Sequence, residues 1–590
     1  MLALLALVAC PAPDDTDTDT APTCEPRALV APTPGFFADI SDASGIRVDN
    51  FYSPAPAGMV INDHSRLAFA DLDGDGRDEA VMHSLYPNAT NGVPFEHLVF
   101  HNNGDGTFTD ASDASGLRAV QAAFFAFADV DDDGDQDLYA GLDYDGLPAD
   151  DLGIWLNDGA GTFTHLEDAG VETRDTMAAN AVFFDMNLDG DVDLFVGNGG
   201  TSYGARDEFY FGNGDGTFTS ASLLFRTKPA QPTNGSTACD WDDDGDQDVF
   251  AATYGVSIDN GVDHLWQNNN DEFVDVGAST GFFAEGTGNY WLSSTGNGRD
   301  LEDVDPADFV GGNGFGVDCG DVDGDGDLDI LLAQISHSDA DYSRKWSDPS
   351  LLLLNDGSAD HRLTNAWLDR DLPYNEGDID AAFTDLDNDG RLDISLSRDR
   401  KYESRYDVSE IDQQAWFGLY HQQPDGQFVS VGYESGVNDP EAVLLRMKSA
   451  QNHAWSDIDG DGDLDLLVGG RDQGGGRPNF LFRNDLGQQN RWLEVGLEGD
   501  GEVVSRDAFG ARLTVFFTDG TRLVREKKSS RGMYNSEDTR VQHVGLGDRP
   551  CIDRVEVRWP DGSVGVWSGA EVGEDQRVTL SWPDGLLVEP

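Results

Sequence analysis

An acidic nonapeptide recurs seven times along the 590 residues, starting at positions 71, 129, 185, 240, 321, 385 and 457. Its positions 1, 3, 5, 7 and 9 are Asp71, Asp73, Asp75, Arg77 and Glu79 in the first copy and Asp129, Asp131, Asp133, Asp135 and Asp137 in the second. The third carries Asp185, Asn187, Asp189, Asp191 and Asp193; the fourth Asp240, Asp242, Asp244, Asp246 and Asp248. The fifth carries Asp321, Asp323, Asp325, Asp327 and Asp329; the sixth Asp385, Asp387, Asp389, Arg391 and Asp393; the seventh Asp457, Asp459, Asp461, Asp463 and Asp465. Side-chain oxygens at 1, 3, 5 and 9, a glycine at 6 for the sharp turn and the backbone carbonyl of 7 form the ligand set that a hard cation such as calcium requires. One such run is an ordinary acidic turn. Seven at intervals of 55 to 81 residues are a repeat, and the expectation is up to seven Ca²⁺ sites.

These are not EF-hands, which need a bidentate Glu at position 12 and a helix on either side. Position 12 here is Met82, Ala140, Val196, Ala251, Leu332, Leu396 or Val468. Each loop is instead preceded and followed by a short apolar segment with β propensity, such as FFAFA before the second and DLYAGL after it. Hairpin signals come next: HNNGDGTFTD (101–110), LNDGAGTFTH (156–165) and FGNGDGTFTS (211–220). Three or four antiparallel strands in a unit of 55 to 80 residues are the signature of a propeller blade. Residues two before each loop (Phe69, Phe127, Phe183, Ala238, Cys319, Phe383 and Trp455) are mostly bulky and are expected in the core between blades.

The loops and their GTF hairpins resemble FG-GAP/VCBS repeats, the calcium-bound blades also found in integrin α-chains. The resemblance implies an all-β fold, a seven-bladed β-propeller over residues 34–488. The seventh unit lacks a GTF strand, and PGFFADISDASGI (34–46) is similar to GTFTDASDASGL (106–117). Residues 34–46 are therefore expected to close blade seven. From residue 489 to 584 the calcium pattern stops, and alternating segments such as NRWLEVGLEG and DRVEVRWPDGSVGVW predict a small β-sandwich-like domain. Trp492-Leu493, Gly510-Ala511-Arg512, His543, Gly545-Leu546-Gly547 and Val557-Arg558-Trp559-Pro560 resemble the ASPIC/UnbV domain of cartilage acidic protein-like chains. The order of residues at Gly532-Met533-Tyr534 departs from that pattern.

The formal charge is −74, from 111 acidic and 37 basic residues. Seven Ca²⁺ would offset only part of it. The remainder suits a calcium-rich exterior and opposes nucleic-acid binding. The opening MLALLALVAC has the form of a short bacterial lipoprotein signal (1–10), with Cys10 as the lipidated residue and the rest of the chain facing the exterior of the cell envelope. Residues 11–33 read as a disordered acidic tether, and no other stretch is apolar enough to span a membrane. Cys239 and Cys319 are expected as buried free thiols, with a bridge between them as the alternative.

There is no P-loop, H-E-x-x-H or C-x-x-C, and His64, His83, His97, His101, His264 and His453 fit structural roles better than a base. No catalytic residue is assigned, and the chain is expected not to be an enzyme. The main expectation is adhesion to, or recognition of, an extracellular protein or glycan. A calcium-dependent lectin, with Tyr290, Trp291 and Trp346 as candidate ligand contacts, and a polysaccharide-active enzyme are the alternatives.

Overall fold

A computed structural model describes residues 27–46, 62–63, 66–83, 96–142, 150–171, 178–199, 207–221, 233–253, 263–269, 272–282, 314–335, 350–373, 377–398, 416–438, 449–472 and 479–589. Seven antiparallel sheets follow one another along the chain and form the blades of a β-propeller. Blade one has Arg66–Ala70, Glu79–His83, His97–Asn102 and Phe108–Asp110, hydrogen-bonded in that order from the axis outward. Blades two to six repeat it, with inner strands Phe124–Ala128, Ala178–Phe184, Thr233–Cys239, Gly314–Gly320 and Asp378–Thr384. Blade seven has Ser449–Ser456, Asp465–Asp472 and Asn479–Asn484. Its outer strand comes from the other end of the chain: Phe37–Asp39 lies antiparallel to Asn479–Asn484, with Phe37 opposite Asn484. The bulky residues ahead of the loops pack in clusters shared by neighbouring blades, as with Phe125, Phe127 and Phe183 in one and Phe69, Ala454 and Leu467 in another.

Each acidic loop joins an inner strand to the next strand out, and its ninth residue staples it in place. Asp137, for example, accepts the Val130 N–H through Oδ2 (3.1 Å) and the Asn157 N–H, at the end of the third strand, through Oδ1 (2.8 Å). The third strand's last side chain then reaches the neighbouring blade. Asn157 Nδ2 donates to Leu72 O in the first loop (2.8 Å), Asn268 to Met186 O (2.8 Å), Asn355 to Trp241 O (2.8 Å), Gln422 to Val322 O (2.7 Å) and Asn484 to Leu386 O (2.9 Å). Asn102 donates to Ile458 O in the seventh loop (3.0 Å) and so joins the first blade to the last. Blade three ends this strand with Gly212, which has no side-chain amide, and the Gly216 N–H takes over the bond to Val130 O at 3.0 Å. Of these amides, Asn102, Asn157 and Asn355 were visible in the sequence only as the first residue of an N-D-G or N-N-G hairpin signal.

Two structural findings correct the sequence reading. Cys239 and Cys319 are bonded in a disulfide between the inner strands of blades four and five, whose adjacency brings their Cα atoms to 6.9 Å. They are not free thiols; Cys551 is also disulfide-bonded. Residues 27–33, read as part of a disordered tether, lie against the start of the C-terminal domain. The Val30 N–H donates to Asn490 Oδ1 (2.7 Å), Asn490 Nδ2 donates back to Val30 O (3.1 Å), and Arg27 pairs with Asp575.

The C-terminal domain is a sandwich of two four-stranded sheets. One runs Gln542–Gly545, Trp492–Glu498, Arg577–Ser581, Gly585–Val588; the other Arg522–Glu526, Arg512–Phe517, Ile552–Arg558, Val564–Ser568. Leu493, Val495, Leu513, Val515, Val555, Val557 and Leu580 fill the space between them. The segment 527–540 leaves this sandwich and runs into the propeller axis, where it bonds to all seven inner strands. Phe69 N donates to Glu537 O (3.0 Å) in blade one and Phe127 N to Glu537 Oε1 (3.1 Å) in blade two. Ala181 N donates to Asn535 Oδ1 (3.0 Å) in blade three, and Tyr534 N to Asn234 O (3.1 Å) in blade four. Gly532 N reaches Val317 O in blade five (2.9 Å), Met533 N reaches Asp380 Oδ1 in blade six (3.1 Å), and Thr539 N reaches Trp455 O in blade seven (2.8 Å). The unpaired inner edges of seven sheets thus find donors and acceptors in one inserted segment, which satisfies backbone groups that burial would otherwise penalise. Gly532, at φ 72°, permits the close approach: a Cβ there would overlap the Asp380 carboxylate.

Candidate metal loops and the domain that covers them

Within each loop the first carboxylate organises the turn. Asp71 Oδ1 accepts the N–H groups of Gly74 (2.9 Å) and Asp75 (3.2 Å), and its Oδ2 accepts that of Gly76 (2.9 Å). Asp129, Asp185, Asp240, Asp385 and Asp457 each accept the N–H of their position-6 glycine in the same way. Positions 1, 3 and 9 converge: oxygens of Asp71, Asp73 and Glu79, and of Asp129, Asp131 and Asp137, lie within 4.8 Å of one another. In the fourth loop the converging set is Asp240, Asp242 and Asp244.

Position 3 supplies the test of fit to a cation. Asp73 Oδ1, Asp131 Oδ1, Asp242 Oδ1, Asp387 Oδ1 and Asp459 Oδ1 are buried and accept no hydrogen bond. A buried carboxylate oxygen with no donor is costly, and a cation among the three carboxylates removes the cost. Without one, burial and then neighbouring carboxylates push Asp129 and Asp137 up to about 8, and Asp71 to about 6. The position-7 side chain is placed differently from loop to loop. Asp135 lies over Gly159 of its own blade's hairpin, where a Cβ would come within 2.5 Å of its carboxylate. Asp463 accepts the Gln488 N–H at 3.0 Å, and Arg77 and Arg391 turn back to Asp75 and Asp389. In loops four and seven a position-7 oxygen, Asp246 Oδ1 or Asp463 Oδ1, is itself buried without a donor and stands among the candidate ligands. Tyr290, Trp291, Trp346 and Cys10 lie outside the described residues.

Residues 185–251 match the FG-GAP-like repeat family, and residues 501–586 match the ASPIC and UnbV family. The chain thus carries an FG-GAP-like repeat and an ASPIC/UnbV domain. It is 24% identical to cartilage acidic protein 1 of Xenopus tropicalis over 347 residues, 56% of this chain and 43% of that protein. It is 35% identical to the Mus musculus protein of the same name over 118 residues, 18% of this chain and 16% of the relative. The matches thus span less than half the length of these curated relatives. An Aleuria aurantia lectin, solved with α-methyl-L-fucoside, aligns over 62% of this chain and 94% of its own at 12% identity and a TM-score of 0.29, too loose a likeness to carry an argument.

The ASPIC/UnbV domain sits on the face that carries the acidic loops, and it meets them with cations. Arg577 Nη1 donates to Gly76 O of loop one (2.8 Å). In loop four Arg558 Nη2 pairs with Asp240 Oδ2 (2.5 Å) and Arg512 Nη1 with Asp243 Oδ1 (2.8 Å). Arg522 Nη2 donates to Asp325 O of loop five (2.7 Å), and Arg549 to Asp389 O of loop six. The Asp129 N–H of loop two donates to Asp507 Oδ2 (2.8 Å), Gly190 of loop three lies against Glu502, and Trp492 covers Gly462 of loop seven. All seven loops therefore touch this domain. Arg512 and Arg558 stand in segments that carry the family resemblance, but nothing local in the sequence marks what a strand residue will face.

A cleft of about 500 Å³ remains between loops one and two and the domain, lined by Asp71, Asp129, Arg506, Lys527, Arg540 and Arg577 among others. Lys527 is buried and donates to Leu497 O (2.6 Å). Burial pushes its pKa down to about 8, with Asp507 opposing and Arg540 adding to the shift. The unfolded chain holds that proton up to an ordinary value of 10.5, so it binds more protons than the folded chain between pH 8 and 10.5. Stability contributed by this group therefore rises with pH across that window, by up to about 3 kcal/mol. Lys527→Met should flatten the rise, read as urea midpoints of both proteins at pH 7.5 and pH 10.

Ser395, His453 and Asp380 have the outline of a hydrolytic triad. Ser395 Oγ is 2.8 Å from His453 Nε2, and His453 Nδ1 is 3.2 Å from Asp380 Oδ2. All three side chains are fully buried, Trp455 Nε1 donates to Ser395 Oγ (3.1 Å), and Arg531 Nη1 donates to the same Asp380 oxygen (3.2 Å). No substrate reaches this serine. The group is a polar clasp between blades six and seven.

Proposed function

We propose that this chain is a calcium-binding propeller displayed outside the cell, where it binds an extracellular protein or glycan in adhesion or recognition. The observation that carries the calcium reading is the buried, donorless position-3 carboxylate oxygen in five loops, set beside the first and ninth carboxylates in loops one and two. Binding rather than catalysis is favoured because the one triad-like group found among the described residues is sealed in the core. Its axis is filled by 527–540 and its acidic-loop face is covered, so the face at the opposite ends of the inner strands is the one left for a partner. The disulfides suit an oxidising compartment, in line with export and attachment through Cys10.

Calcium titration of the chelator-stripped full chain tests the first part. Several ions per chain are expected, up to seven, and Asp131→Asn should remove one of them. No binding at millimolar calcium would refute the reading. A glycan array probed in calcium and again in chelator tests the second part. Calcium-dependent sugar hits would narrow the partner to glycans, and a blank array from calcium-loaded protein would narrow it to proteins.

A further inference from the structure

Two of the seven loops differ from the rest in the same two ways. Loops one and six have arginine at position 7, and the guanidinium turns onto the position-5 carboxylate, Arg77 on Asp75 and Arg391 on Asp389. In both blades the penultimate residue of the third strand, which faces the loop, is histidine: His101 and His421. The equivalent residues elsewhere are Leu156, Phe211, Gln267, Leu354 and Arg483. Each of these two loops has thus lost one free hard-oxygen ligand and gained an imidazole.

Blade six is the more enclosed. Asp387, Asp393 and His421 are all buried, and one ligand atom from each lies within 4.8 Å of the others. His421 Nε2 points at the loop, 3.2 Å from Asp387 Oδ2 and 3.8 Å from Asp389 Oδ2. Asp387 is fully buried, and its Oδ1 accepts nothing. On the far side of the ring, the Gln423 amide lies 3.0 Å from Nδ1. With that amide turned over, its oxygen accepts Nδ1–H and fixes the tautomer that leaves Nε2 free to ligate, the usual support for a metal-bound histidine. Calcium prefers oxygen alone, in six to eight contacts, whereas a carboxylate and imidazole set with few ligands suits zinc and its first-row neighbours.

We propose that the blade-six loop is a mixed nitrogen and oxygen site for a divalent transition ion, held by Asp387, Asp393 and His421 Nε2. This deepens the metal-binding reading above by making one of the seven loops selective against calcium. Blade one repeats the pair with a histidine that is a third exposed.

The test uses the full chain, stripped with chelator and dialysed against millimolar calcium with micromolar zinc, with bound metal measured by elemental analysis. The wild type should keep a zinc ion that His421→Gln loses, while its calcium content stays unchanged. Cobalt in place of zinc should give visible ligand-field bands in the wild type that the variant lacks. Zinc content equal in the two proteins, or no zinc retained against calcium, would overturn the proposal. Absence of calcium from both proteins would instead count against the calcium reading of the other loops, and the zinc comparison would still decide this one. A melting curve of the variant in calcium verifies that it folds.

Discussion

Arg531→Ala should be the most damaging single substitution in the axial segment, lowering stability by about 3–5 kcal/mol, the cost of breaking a buried charge pair. Arg531 lies at the centre of the channel with a side chain that is 1% exposed. Its guanidinium donates to Asp538 through Nε (2.5 Å) and Nη2 (2.7 Å), to Asp380 Oδ2 (3.2 Å) and Ala381 O (3.0 Å) through Nη1, and to His453 O through Nη2 (3.0 Å). One side chain therefore ties blades six and seven to the inserted segment. Its removal leaves Asp380 buried beside a histidine that burial, and then Arg531 itself, hold below its ordinary pKa. Arg531→Lys keeps the charge but not the fork, and should recover only part of the loss. Denaturant midpoints give the magnitude. If Arg531→Ala unfolds at the wild-type midpoint, the segment fills the channel without holding it together.

The fold was legible because its signal is local and repeated. The nonapeptide carries its own turn chemistry, and its recurrence counts the blades. The likeness between 34–46 and 106–117 marked where the ring closes. What the sequence did not reveal is how distant parts meet. Asn102, Asn157 and Asn355 read as hairpin residues, yet their amides reach the neighbouring blade, a partner that depends on how blades stack. The same holds for Cys239 and Cys319, 80 residues apart on adjacent strands. Residues 527–540 were read as part of the sandwich-like domain, and the odd order at Gly532-Met533-Tyr534 was the one local trace of a segment shaped to enter a channel. The positions of the acidic loops, and the convergence of carboxylates in them, were legible. That His101 and His421 face two of them was not, because a histidine two residues before a hairpin turn carries no sign of which loop lies beneath it.

Removing calcium should have a still larger effect, and it should act on the ASPIC/UnbV domain as much as on the propeller. Carboxylates crowded at about 4–5 Å repel by about 1–4 kcal/mol per pair at effective dielectrics of 80 to 20. If each loop other than loop six binds near 10⁻⁴ M, millimolar calcium contributes about 1.4 kcal/mol per site and about 8 kcal/mol over six, comparable to the whole stability of a typical domain. The loops are also the floor on which the second domain stands: Arg577, Arg522 and Arg549 bond to loop carbonyls that stay in place only while the turn keeps its shape. A loop that springs open withdraws those acceptors and loosens the grip on 527–540, so the two domains should melt together in calcium and separately, at lower temperature, in chelator. Magnesium, which demands a tighter octahedron and dehydrates reluctantly, should restore the transition poorly. Calorimetry of the full chain in calcium, in chelator and in magnesium distinguishes these states. A single transition at the same temperature in all three would mean that the hydrogen bonds around Asp129 and its equivalents hold the loops without an ion.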